Sequence, residues 1–254
     1  MGGLFMDAYD VTKIVRKQLA KDYNCKESDF DYGNLIVTEG RANDKRAMRA
    51  VFFGGAGIFC AEPGLVSDLR RIFEGKDPEW IFETNSLIML SEILYLHGHN
   101  VDNIHEYYVP DVSRAKTEPK FETETIESGF DRFKNEAVAK DVFDLESHGP
   151  IKIVIAAKKN GKTVAMAAAF EESEDLWKVS IGVAPEERFG CAAENILGLI
   201  KDAVLEKGKI PYYGGVFSRN ISPSTGSNAG FFPCWSQIQS RPRDDEFLGM
   251  HGTR

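Results

Sequence analysis

The apolar residues of this chain fall into short runs with two distinct periods. Over 192–207 they recur at Ala193, Ile196, Leu197, Ile200, Ala203 and Val204, while Glu194, Lys201, Asp202 and Glu206 take the other side. That spacing predicts an amphipathic helix, and Gly208 ends it. Val11, Ile14, Val15 and Leu19 mark a second helix of the same kind. Pro63–Phe73 and Asn85–Leu96 predict two more, the latter stopped by Gly98, and Gly129–Ala139 a further one. Runs rich in β-branched and aromatic residues predict strands at Asn34–Thr38, Ala50–Cys60, Tyr107–Val109, Phe121–Ile126, Ile151–Ala157, Thr163–Phe170, Trp177–Val183, Ile210–Val216 and Phe231–Ile238. Lys159-Asn160-Gly161 is a hairpin turn between two of them, because Asn-Gly readily supplies positive φ. Phe52, Phe53, Trp80, Phe82, Tyr95, Phe231, Phe232 and Trp235 are expected mostly in cores.

Helices and strands thus alternate, which makes this an α/β (α+β) chain. The segment PDVSRAKTEPK, over 110–120, is polar, carries Pro110 and Pro119, and has no apolar period. It is the best seam, dividing an N-terminal α/β domain over 1–115 from a second domain over 116–254.

Composition removes several classes. At 254 residues, 43% hydrophobic and 28% charged, the chain is neither disordered nor collagen-like nor a disulfide miniprotein. Its net charge of −8 lacks the positive field that nucleic acid or an anionic membrane surface selects. Cys25, Cys60, Cys191 and Cys234 are scattered, which reads as reduced thiols. No apolar leader follows MGGLFMDAYD, and no apolar run is long enough to span a bilayer. These points lead us to expect a cytoplasmic protein.

The strongest chemistry lies in Ile181–Ala193, IGVAPEERFGCAA. An apolar strand ends at Val183, a short loop follows, and a helix begins near Gly190. The first N–H groups of a helix have no intrahelical acceptor, and the dipole adds partial positive charge there. Small residues let an anion approach the backbone, and Arg188 adds a full charge. Such a site suits a pyrophosphate.

The pattern Val183-x-Pro185-x-x-Arg188-x-x-Cys191-x-Ala193 resembles motif A of the GNAT superfamily of acyl-CoA N-acyltransferases. Downstream, Gly208-Lys-Ile-Pro211-Tyr-Tyr213, Asn220-Ile-Ser222 and Gly230-Phe231-x-Pro233-x-Trp235 resemble that family's later segments in order, so the likeness covers about residues 150–240. The resemblance implies a mixed, mostly antiparallel central sheet flanked by helices. It also implies acetyl-CoA as acyl donor, held in a splay between the strand ending at Val183 and the strand starting near Ile210. Backbone groups of Ile181 to Val183 would pair with the pantetheine arm and polarise the thioester carbonyl. Arg188, Phe189, Gly190, Cys191, Ala192 and Ala193 would hold the pyrophosphate, and Asn220 and Ser222 would lie along the arm. The implied reaction is direct transfer, in a ternary complex, of an acetyl group to a primary amine of a small molecule or peptide. A homodimer is left open.

Two departures leave alternatives. Cys191 stands where the family has Gly; a shifted register, Glu187-x-x-Gly190-x-Ala192, restores the Gly but sets a carboxylate beside an anion. Gly226 stands where many members carry a tyrosine that protonates the departing thiolate, so either another donor serves (Tyr212, Tyr213 or Ser222), or the thiolate leaves unaided, or the protein is not catalytic. Glu172, in the acidic turn 171–175, is the candidate general base. A CoA-binding protein without turnover, or an interaction module with a degenerate site, is the rival reading. Gly54-Gly55-Ala56-Gly57 lacks phosphate-loop spacing and reads as a tight turn. His97, His99 and His105 lack a metal-ligand pattern, so no metal is expected.

Overall fold

The computed structural model describes residues 6–243 apart from 43, 45, 134, 144–148, 189 and 217–222. The chain divides into two compact units. One holds Arg16–Glu106 and the stretch from Trp235 onward; the other holds Tyr107–Cys234 and the N-terminal stretch up to Val15. The polar segment 110–120 therefore belongs to the second.

Helix α1 (Ala8–Asp22) opens the chain and buries Val11, Val15 and Leu19, the expected stripe. In the first unit follow β1 (Leu35–Glu39), β2 (Met48–Phe53) and β3 (Ala56–Ala61). The run Ala50–Cys60 is thus two strands, not one. Gly54 and Gly55 both adopt positive φ, 61° and 82°, and turn β2 back onto β3, pairing Phe53 with Ala56. Helix α2 (Pro63–Phe73) starts on a proline whose fixed φ suits the first turn, and it buries Leu65, Leu69 and Phe73. Helix α3 (Thr84–Leu96) buries Leu90 and Leu94. Strand β4 (His99–Pro110) is much longer than the expected Tyr107–Val109, and its last residues from Tyr107 fall in the second unit. β1 pairs parallel with β3, and Trp235–Gln239 pairs antiparallel with β2. Phe59, Phe73, Leu90 and Ile238 share the core of this unit. Trp80 and Tyr95, expected in cores, are exposed at 60% and 57%. The Tyr95 ring carries the Arg243 guanidinium 4.6 Å above its centre.

The second unit is built on β5 (Glu122–Ile126), helix α4 (Ala139–Phe143), β6 (Ile151–Lys159), β7 (Lys162–Glu171), β8 (Leu176–Val183), helix α5 (Ala192–Glu206), β9 (Ile210–Val216), helix α6 (Pro223–Asn228) and the start of β10 (Phe231–Pro242). The spatial order is β9-β8-β7-β6-β5. Every neighbour is antiparallel except β8 and β9, which run parallel. This is the mixed, mostly antiparallel sheet with flanking helices. Asn160 and Gly161, at φ 52° and 75°, make the predicted turn.

The expected helix over Gly129–Ala139 is replaced by a 3-10 turn at Phe130–Phe133 and the short α4. Phe133 and Val138 are both buried, at 4% and 2%. Residues five apart do not share one face of an α-helix, so the chain breaks between them to bury both.

Alternation along β7 explains the layering. Ala165, Ala167 and Ala169 face α5, while Met166, Ala168 and Phe170 face α4. The small residues let α5 lie close, sealing Ile196, Ile200 and Val204 completely. Each such burial stabilises by about 1.5–3 kcal/mol.

The segment 111–121 is a strap along α5. The Thr117 amide donates to Asp202 Oδ2 at 2.7 Å. Asn195 accepts from the Lys120 amide at 2.9 Å and donates to the Glu118 carbonyl at 2.8 Å. Thr117 also lies on Gly198, where a Cβ would come within 2.4 Å of its hydroxyl. Part of the polar side of α5 is therefore covered: Lys201 on it is only 2% exposed, whereas Glu206 stays open to solvent. Among the described residues no helix is long and apolar enough to cross a membrane.

Candidate functional site

β8 and β9 frame the candidate site. Their parallel ladder holds at Leu176–Ile210, Trp177–Pro211 and Lys178–Tyr212. Beyond those pairs, among the described residues, the two strands run on to Val183 and Val216 without further pairing, although β8 keeps its ladder with β7 as far as Val183. The β9-facing edge of β8 is thus open along Val179–Val183, and it offers backbone groups to anything extended that lies there.

At the open end the chain turns through Pro185–Glu187 into α5. The Ala184 amide is tied to the Val164 carbonyl at 2.9 Å, the Glu187 amide to Ala184 at 2.9 Å and the Gly190 amide to Glu187 at 3.0 Å. These bonds fix the loop that leads into α5, whose first-turn N–H groups have no intrahelical acceptor. Ala192 is fully buried beneath that turn, Cys191 is half-buried with a free thiol, and Arg188 and Gly190 are exposed. Ile181 and Val183 pack their side chains on the α5 side of the sheet. Phe189, Asn220 and Ser222 lie outside the described residues. The carboxylate that the shifted register would set beside an anion is neutralised. Glu187 Oε1 lies 2.6 Å from Lys159 Nζ, and this contact raises the lysine above its ordinary value. Sequence reasoning missed Lys159, because that residue was read only as part of the Lys159-Asn160-Gly161 hairpin turn.

Where the ladder stops, two adjacent residues of β9 point to opposite faces. Tyr213 faces α5 and α6. Its ring stacks on Tyr108 with centroids 5.0 Å apart and meets Phe231 edge-on at 5.1 Å. Its hydroxyl lies over Gly226, where an added Cβ would come within 2.0 Å. The missing side chain at Gly226 thus makes room for the Tyr213 phenol delivered from β9.

Tyr212 faces the other way and donates from its hydroxyl to Glu172 Oε2. The Tyr107 ring lies 5.9 Å from the Tyr212 ring; burial, then the Glu172 charge, pushes the Tyr107 phenol well above its ordinary value. Lys178 Nζ stands 3.9 Å from Glu172 Oε1. Burial lowers the Lys178 ammonium below its ordinary value, against the opposing pull of Glu172. The sequence signal for Lys178 was a lysine inside the apolar strand run Trp177–Val183.

The histidines go elsewhere. His97 Nε2 is 3.1 Å from Asp68 Oδ2, and His99 Nε2 is 3.8 Å from Glu62 Oε1. Among the described residues no group of His, Cys, Asp and Glu is placed to hold a metal.

No family model and no curated protein matches the sequence. Solved structures similar to the chain include a GCN5-related N-acetyltransferase from Kribbella flavida, with 14% identity, a TM-score of 0.48, and coverage of 63% of this chain and 65% of that one. Another is a GCN5-related N-acetyltransferase-like protein from Streptococcus suis, at 15% identity and a TM-score of 0.43, covering 74% and 79%. A third is a GNAT-family acetyltransferase from Colwellia psychrerythraea, at 12% and 0.44, covering 63% and 62%. The chain thus spans less than two thirds of the Kribbella and Colwellia proteins.

Proposed function

We propose that this chain is an N-acyltransferase that moves an acetyl group from acetyl-CoA to a primary amine by direct attack. The observation that carries the reading is the parallel β8–β9 ladder that stops at Lys178–Tyr212, with the N-terminus of α5 at its open end.

The residues present fit the donor. The open edge of β8 offers peptide groups to the amides of a pantetheine arm. Arg188 and the first-turn amides of α5 offer positive charge to a diphosphate. Lys159 keeps Glu187 from repelling it. Acetyl-CoA supplies the activated acyl group; the chain supplies position and proton handling.

Glu172 takes a proton from the acceptor's ammonium, leaving a neutral amine. The amine nitrogen forms a bond to the acyl carbon, and the carbon–sulfur bond breaks. Tyr213 hands its hydroxyl proton to the departing thiolate from the α6 side, and the second proton, shed by the nitrogen as it becomes an amide, passes to solvent, from which the phenolate is re-protonated. Backbone groups of β8 polarise the carbonyl oxygen meanwhile. No acyl-enzyme is needed.

The test is release of free CoA thiol from acetyl-CoA with a panel of amines. Amine-dependent release above the hydrolysis blank, lost in Glu172→Gln, supports the reading. Tight binding of acetyl-CoA without release from any amine favours a CoA-binding protein without turnover.

A further inference from the structure

The face of the site where an acceptor would arrive carries a cation as well as a carboxylate. Lys178 lies on the face of β8 opposite α5, paired with Tyr212 across the ladder and with Phe170 on β7. Its side chain is only 20% exposed. Among the described residues it makes no side-chain hydrogen bond, and its ion-pair partner there, Glu172, stands 3.9 Å away. Glu172 is engaged through its other oxygen by Tyr212. The ammonium and the carboxylate are therefore side by side without closing on each other, where the β8–β9 pairing ends.

An ammonium so little hydrated is costly unless an anion meets it. It also changes which amines can approach Glu172. A simple alkylammonium brought to that carboxylate comes near Lys178 and is repelled by it. A molecule with a carboxylate close to its amine gains at both points. Its ammonium meets Glu172, and its carboxylate meets Lys178.

We propose that the acyl acceptor is an amino acid, or a close equivalent with a carboxylate beside its primary amine, with Lys178 as the specificity-determining cation. This rests on the acyltransfer reading for Glu172. Burial that lowers the Lys178 ammonium below its ordinary value is the same lack of hydration seen from the proton's side.

The test compares matched pairs, each an amino acid and the amine that remains when its carboxylate is removed, across aliphatic, aromatic and acidic side chains. Thiol release from acetyl-CoA is read on the full chain. At least tenfold higher kcat/KM for the amino acid of some pair is expected. Lys178→Met should shrink that ratio at least tenfold, mainly through KM of the amino acid, and Lys178→Arg should retain it. Equal or better use of the plain amines overturns the inference while leaving the transfer reading intact. If no compound releases thiol, the same pairs are titrated calorimetrically into protein saturated with CoA. Amino-acid binding that depends on the carboxylate and on Lys178 then supports the inference and overturns the transfer reading. Binding indifferent to the carboxylate, or none, overturns the inference. The wild-type comparison holds even if Lys178→Met does not fold.

Discussion

Asn195 is the clasp between the strap and the helix that opens the site. It is 3% exposed, and its amide serves two backbone groups, the Lys120 N–H at 2.9 Å and the Glu118 carbonyl at 2.8 Å. Asn195→Ala removes both partners at once. Both bonds are only partly buried, and each contributes about 0.5–1.5 kcal/mol. Thr117 keeps its bond to Asp202, so the strap stays partly docked. We expect a loss of about 1–3 kcal/mol. For a chain of this size that corresponds to a fall in Tm of roughly 2–12 °C. Urea denaturation followed by tryptophan fluorescence measures it. Brief trypsin digestion under native conditions gives a second readout, since release of the strap frees the backbone at the exposed Lys116 and Lys120 to enter the protease cleft. An unchanged midpoint together with unchanged cleavage at those lysines would refute the reasoning.

Three further expectations follow from the site and its surroundings. Tyr213→Phe should lower kcat by about a hundredfold or more while leaving KM for acetyl-CoA nearly unchanged, because it deletes only the proton donor; a wild-type kcat in steady-state thiol release would remove Tyr213 from the mechanism. Burial pushes the Cys25 and Cys234 thiols up to about 12 and raises Cys60 as well, so iodoacetamide at pH 8 should label Cys191 first, and acetyl-CoA should slow that labelling, as read by peptide mass spectrometry. Burial holds Lys178 below its ordinary value of 10.5, so the unfolded chain binds that proton more tightly and the stability difference rises with pH towards 10.5; wild type should gain in Tm relative to Lys178→Met between pH 8 and 10.5, and a widening deficit would contradict the assignment.

Much of the framework was legible along the chain because it is set locally. The 3.6-residue period of 192–207 became α5 (Ala192–Glu206), and Pro63–Phe73 became α2 with the same bounds. Asn160-Gly161 reversed the chain where the residues demanded it. The failures have tertiary causes. Gly54-Gly55 cut one apolar run into two strands, because both strands bury the same kind of residue and the run looks continuous. Phe133 and Val138 broke a helix that local propensity favoured. The polar segment 110–120 looked like a linker, since its apolar content is low. Its partners are side-chain amides and carboxylates of α5, which leave no hydrophobic period to read. The loop from Val183 to Ala193 stood out along the chain as a strand–loop–helix pattern, whereas the Glu172–Lys178 pair did not stand out. Those two residues meet only because the β7–β8 register sets Lys178 against Phe170, two residues before Glu172.

The central claim is that a diphosphate is held where β8 turns into α5 and its thioester arm runs along the open edge of β8. Calorimetric titration of acetyl-CoA into the wild-type chain and into Arg188→Glu tests it most directly. We expect saturable one-to-one binding to the wild type and at least tenfold weaker binding to the variant, with acetyl-pantetheine binding both equally. Absence of binding at millimolar acetyl-CoA, or an affinity that Arg188→Glu leaves unchanged, would contradict it.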